Sequence, residues 1–250
     1  MSALHISVAA EPIGHLGPIT ITNSMFTGFI TTALILGLSL KVYSERNSEK
    51  KSKVTHLMEM AVESMYSYIR GIAGAKTDTL FPLLFTFFIF IILANWIGLL
   101  PGIGSIGFHE LEHGEEVFVP IFRGPNADLN TTFAFALISV ATTNYLSIKT
   151  LGTKGYISRF INVKNPMDFV VGILEVVSEI SKIISFSFRL FGNIFAGEVL
   201  IAVMTFLVPI IVPVPFIGLE VFVGFIQAFV FTMLTLIFIV LATEPHHERG

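Results

Sequence analysis

Between residues 183 and 243 the chain carries only three charged side chains, Arg189, Glu198 and Glu220. A charge at membrane depth costs at least ~2.5–3.5 kcal/mol, so it persists where it faces protein or water, and it marks an ion path. A guanidinium keeps its proton up to a pH above ~12, so it cannot relieve that cost by turning neutral. A permanent cation followed by two carboxylates on one apolar path is the equipment of proton or ion conduction.

The surrounding pattern supports this. Glu175, Ser178, Lys182, Ser185, Arg189 and Asn193 are spaced by three or four. At ~100° per residue they fall in one helical stripe about 80° wide. Such a stripe faces water or a polar partner. A seam that only packs helices would account for the serines, but a neutral residue would fill that role at less cost than Arg189. Gly192 and Gly197 on the same helix fit close packing. Glu198 lies about 180° around from Arg189 and ~13 Å along the axis. Glu220 and Gln227 share a face of the next helix, and Pro209, Pro213 and Pro215 mark a turn between the two. An antiparallel fold-back near 208–209 brings Arg189 level with Gln227 and Glu198 level with Glu220. Two ionised carboxylates so placed would repel and titrate as a pair.

The elements that must hold these groups are apolar runs. A bilayer crossing needs ~20 mostly apolar residues. Five segments qualify: 22–42, 79–100, 131–149, 168–207 and 216–242. The fourth is too long for a perpendicular crossing and is expected to tilt. Residues 54–76 (VTHLMEMAVESMYSYIRGIAGAK) are amphipathic and too polar to span, which predicts an interfacial helix; a short soluble helix is the alternative. The expected fold is an all-α polytopic membrane protein whose last two crossings form a long tilted antiparallel hairpin. Residues 1–250 read as a single membrane domain, with an N-terminal segment 1–21 and an acidic loop 101–130 on the outer side.

Composition agrees: 53% of the 250 residues are hydrophobic and only 13% charged, about half the usual globular share of charge. A net charge of −3 argues against nucleic acid as a partner. There is no cysteine, hence no thiolate or disulfide chemistry. The first 23 residues hold no Lys or Arg, unlike a signal or transit peptide. Lys41, Arg46, Lys50, Lys51 and Lys53 crowd the first connection, and Lys149, Lys154, Arg159 and Lys164 the third. The loop 101–130 carries Arg123 alone against Glu110, Glu112, Glu115, Glu116 and Asp128. The positive-inside rule then puts the basic connections and the C-terminus in the cytoplasm and the N-terminus outside.

The stretch 187–198 (SFRLFGNIFAGE) resembles the signature of subunit a of the F-type rotary ATP synthases. Residues 95–102 (NWIGLLPG), 125–131 (PNADLNT) and 227–234 (QAFVFTML) resemble further motifs of that family, in family order. The resemblance covers most of the chain from about residue 80. It implies a stator beside a rotating ring of c subunits, together with peripheral-stalk b-type subunits and the remaining ATP synthase subunits. It also implies two offset aqueous half-channels. By matching motif, Arg189 is the charge barrier facing the ring carboxylate. Asn193, Glu198, Glu220 and Gln227 line the outer half-channel, and Glu175, Ser178 and Ser185 the cytoplasmic one. Some relatives carry histidine at position 220. A bacterial inner membrane is the expected location, with an organellar energy-transducing membrane as the alternative. No cofactor is expected.

Residues 109–113 (HELEH) match the zinc-protease pattern, which requires a helix that puts both histidines on one face. Between Gly107 and Gly114 they read as a solvated acidic loop; an intramembrane metalloprotease is the rival reading. His246 and His247, with Glu244 and Glu248, read as a solvated tail. A stand-alone transporter or channel is a second rival, but transporter folds often carry internal repeats and none is visible here.

Overall fold

The computed structural model describes residues 8–100, 102–112, 115–160, 166–208 and 211–243. Helices dominate: α1 (Asn23–Glu45), α2 (Lys53–Ala73), α3 (Thr77–Gly98), α4 (Leu129–Phe160), α5 (Pro166–Leu207) and α6 (Pro213–Ala242). Five helical stretches are long and apolar enough to cross a membrane; in the second of them α2 and α3 run on from one another. The fold is an all-α polytopic membrane protein.

Helix α1 is built the reverse way from a helix of a water-soluble protein. Its polar side chains Asn23, Ser24, Thr27 and Thr31 are buried, while Phe29, Leu36 and Leu40 are exposed. Lipid tails are as apolar as leucine, so no hydrophobic drive turns leucine inward, whereas a polar group in hydrocarbon goes unsatisfied. The buried polar edge meets the segment before α4. Asn23 Nδ2 donates to Pro120 O at 3.1 Å, Ser24 Oγ to Asp128 Oδ2 at 3.1 Å, and the Arg123 amide to Thr27 Oγ1 at 3.2 Å.

Glu45 ties the end of α1 to the start of α2 by accepting from the Ser52 amide at 2.8 Å and Thr55 Oγ1 at 2.7 Å. The amphipathic α2 buries Met65 and Ile69 in the core that also contains Leu80 and Leu84 of α3. At the same end, Lys76 Nζ donates to Thr243 Oγ1 at 2.8 Å, just beyond α6.

Helices α3, α4, α5 and α6 share one core, in which Phe87, Ile91, Ala136, Phe186, Leu190 and Phe231 are buried. Hydrogen bonds fix the helices laterally: Ser139 with Thr235 at 2.8 Å, Thr132 with Ser187 at 3.3 Å, and Ser147 Oγ donating to Ala242 O at 2.8 Å. Non-helical geometry at Gly152, with φ 75°, breaks α4. At 42 residues, α5 would be about 63 Å long if straight, roughly twice the hydrocarbon thickness.

Two antiparallel hairpins sit at the opposite end of the bundle from α2: β1 (Pro12–Leu16) with β2 (Ile19–Thr22), and β3 (Gly107–Glu112) with β4 (Glu115–Pro120). The second corrects the expectation of a solvated loop. Phe108 pairs with Val119 across the two strands, and Gly107 lies so close to Val119 O that a Cβ there would collide. Residues 109–112 of the zinc-protease pattern therefore lie on a strand rather than the helix that chemistry needs. His113 falls outside the described residues, as does the tail from Glu244. Among the described residues no group of His, Asp and Glu could hold a metal.

Candidate functional site

The inner face of α5 is anchored by Phe186 and Leu190, at 2% and 0% exposure. Helical geometry then turns Arg189 outward, where it is exposed. Its Nη2 donates to Ser185 Oγ, one turn back, at 3.3 Å. A guanidinium is thus presented on the outer surface of α5, with a hydrogen bond to Ser185 to orient it.

One turn further along α5, Asn193 Nδ2 donates to Gln227 Oε1 on α6 at 2.7 Å. Gln227 is buried, and its Nε2 has no partner among the described residues. An orphaned buried donor costs about 1–3 kcal/mol unless water or another group reaches it. Deeper toward the hairpins, Glu220 is buried at 7% exposure, and its carboxyl lies over Gly197, where a Cβ would overlap it. Gly197 therefore makes room for a carboxyl group as well as for a helix.

The antiparallel hairpin is present, and Glu220 lies within one residue of its expected level on α5. Gln227 meets Asn193 rather than standing level with Arg189. Glu220 lands on Gly197, the neighbour of Glu198. Glu198 does not face Glu220 as a bare carboxylate partner: its Oε2 accepts from Arg123 Nη2 at 3.3 Å. One residue further along a helix is ~100° around, which turns Glu198 toward the loop ahead of α4.

Glu198, Glu220 and Arg123 line a cavity of about 510 Å³, together with Glu11, Asn95 and Thr205. Beside it three elements are clamped. Asn95 Nδ2 donates to Gly224 O at 3.0 Å, and Asn126 Nδ2 donates to Asn95 Oδ1 at 2.7 Å. Gly224 permits this approach, since a Cβ there would sit 3.1 Å from the Asn95 Cβ. The motifs around residues 95 and 126, far apart in sequence, thus form one buried joint with α6.

Residues 25–240 match the model of the family described as ATP synthase A chain. The chain belongs to that family. It is 32% identical over 236 residues to the "ATP synthase subunit a" of Moorella thermoacetica, covering 94% of this chain and 96% of the relative. It is 34% identical over 226 residues to that of Desulforamulus reducens, with 87% and 78% covered, and 32% identical over 249 residues to that of Gloeobacter violaceus, with 97% and 94% covered.

In this member of the ATP synthase A chain family, the three residues of the α2-facing half of α5 are less closely joined. Ser185 accepts the Arg189 hydrogen bond and is exposed, while Glu175 and Ser178 lie further along α5 and are half-buried. Between them and Arg189, Lys182 Nζ donates to Glu179 Oε1 at 2.6 Å and stands 5.1 Å from the centre of the Phe238 ring. Glu179 was not singled out from the sequence, because it falls outside the stripe counted from Glu175. Arg123 was also missed as a site residue. The signal that could have found it is its isolation, a single cation in an acidic loop.

Proposed function

We propose that this chain translocates protons through two offset half-channels against a rotating ring of c subunits, as the membrane stator of a proton-driven ATP synthase. It does so in a complex with the other ATP synthase subunits, among them the ring and b-type peripheral-stalk subunits. Residues 1–250 act as one membrane domain. The observation that supports the reading is a series of polar side chains stepped along an apolar hairpin. It runs from the cavity with Glu198 and Glu220, through Gln227 and its bond to Asn193, to the outward-facing Arg189.

The chemistry follows from charge and solvation. A ring carboxylate travelling through lipid must be protonated, since an ion there is costly. Opposite Arg189 its ionised form is favoured. It therefore releases a proton on one side of the arginine and takes one up on the other. Glu220 and Glu198 receive protons from the hairpin end, and the unsatisfied Gln227 amide with Asn193 orders water toward the ring. Glu175, Ser178 and Ser185 serve the other half-channel. The fixed charge of Arg189 repels protons that would leak between the two, and each charge moved gains about 2.3 kcal/mol per 100 mV.

The excess of Lys and Arg on the connections at the α2 end supports a cytoplasmic position for that end, with the hairpins and N-terminus outside, and the reading takes the membrane to be a bacterial inner membrane. The decisive experiment is Arg189→Ala in the assembled complex. ATP synthesis is abolished and passive proton leak rises; Arg189→Lys also fails to couple, since lysine can lose its proton and lacks the planar fork. Synthesis near the unsubstituted rate in either variant refutes the reading.

A further inference from the structure

Arg123 is buried at 6% exposure, yet it carries a full charge. Three parts of the chain hold it: its Nη1 donates to Ala9 O at 2.8 Å, its Nη2 to Glu198 Oε2 at 3.3 Å, and its amide to Thr27 Oγ1 at 3.2 Å. Taking a guanidinium out of water costs several kcal/mol, and a neutral residue would pack the loop at less expense. What Arg123 offers that a neutral residue lacks is charge on the cavity wall. Three carboxylates, Glu11, Glu198 and Glu220, share that wall with apolar side chains and glycines. Carboxylates left without a balancing cation attract oxygen-preferring divalent cations. Glu220 makes no hydrogen bond with the described residues, so it is open to exchange, whereas Glu198 is held by the guanidinium.

We propose that Arg123 is a positioning residue for proton uptake that acts through Glu198. It pins that carboxylate to the cavity wall and offsets its charge, so that protons occupy the cavity and hydrated metal cations do not. The proposal rests on the cavity being a half-channel, and it adds what keeps that half-channel selective. Glu220 is then the exchanging carboxylate and Glu198 the balanced one.

The test uses the whole ATP synthase in vesicles, with ATP synthesis driven by an imposed proton gradient and expressed per assembled complex. Mn²⁺ is enclosed on the side the hairpins face. Arg123→Gln lowers the rate roughly tenfold, the size expected for losing one hydrogen bond to a charged group. It also becomes sensitive to Mn²⁺ at concentrations that leave the unsubstituted complex unaffected. Arg123→Gln combined with Glu198→Gln recovers part of the rate and loses the Mn²⁺ sensitivity, and Arg123→Lys keeps most of the rate. If Arg123→Gln blocks assembly and the double variant restores it, the unbalanced Glu198 charge is the cause and the proposal stands. It is overturned if Arg123→Gln matches the unsubstituted rate, if single and double variants are equally slow and indifferent to Mn²⁺, or if neither assembles. Arg189→Ala measured alongside separates the two readings. Synthesis surviving there sinks the half-channel itself, whatever Arg123 does.

Discussion

The Glu220 carboxyl of α6 occupies the space over Gly197 of α5 that a methyl group would fill. The two helices are therefore matched at this level by a missing side chain on one and an acid on the other. The acid reaches the cavity because the glycine lets it.

Gly197→Ala should displace that carboxyl. Overpacking of this kind costs typically about 1–3 kcal/mol, enough to move a side chain without preventing assembly. Proton-driven ATP synthesis is expected to fall by roughly tenfold or more, while the amount of assembled complex, read by immunoblot, stays within a factor of about two. Normal synthesis in this variant would show that Glu220 need not lie where it does.

The Asn193–Gln227 bond predicts a coupled pair. Gln227→Leu leaves Asn193 without its acceptor, and Asn193→Leu leaves the buried Gln227 carbonyl oxygen without its donor. Each should slow proton uptake by about threefold to tenfold, the range for a lost hydrogen bond of roughly 0.5–1.5 kcal/mol. Combining them should cost less than the product of the two effects, because the second change removes a group already unpartnered. Strictly multiplicative losses would mean that the residues act separately.

Much of this was legible in the sequence, for a physical reason. Membrane helices announce themselves by apolar length, so the crossings and the Arg189 stripe could be read from local spacing alone. Arg123 could not be read that way, since its partner Glu198 is 75 residues distant and loop sequence conveys charge but not contact. The β3–β4 hairpin was hidden because its charged residues suggested solvated loop more strongly than Phe108 and Val119 suggested strand. The prolines near 208–215 locate a turn only to within a few residues, which leaves the helical register open by one turn. Side-chain reach adds to this: Gln227 bonds to Asn193 although Glu220 lies near its expected level.

Topology can be tested without background labelling, because the chain has no cysteine. Phe108 on β3 and Lys50 between α1 and α2 are exposed. Phe108→Cys should react with an impermeant thiol reagent added outside intact cells, and Lys50→Cys only after the cytoplasmic face is opened. The opposite pattern would exchange the two half-channels while leaving Arg189 as the barrier between them.

The register of the α5–α6 hairpin decides most of the proton route, and two double-cysteine variants distinguish the alternatives. Asn193→Cys with Gln227→Cys joins positions whose side chains already meet at 2.7 Å. Arg189→Cys with Gln227→Cys joins positions one further turn apart, about 5.4 Å along α5. A disulfide requires Cα atoms about 4.4–6.8 Å apart, so a short bifunctional thiol linker is the better probe across packed helices. The first pair should be bridged rapidly and nearly completely, and the second slowly, because position 189 lies a turn away on the exposed face of α5. Faster bridging of the second pair would move the hairpin by one turn. Gln227 would then stand beside the arginine itself, and the water-ordering step assigned to Asn193 would have no partner on α6.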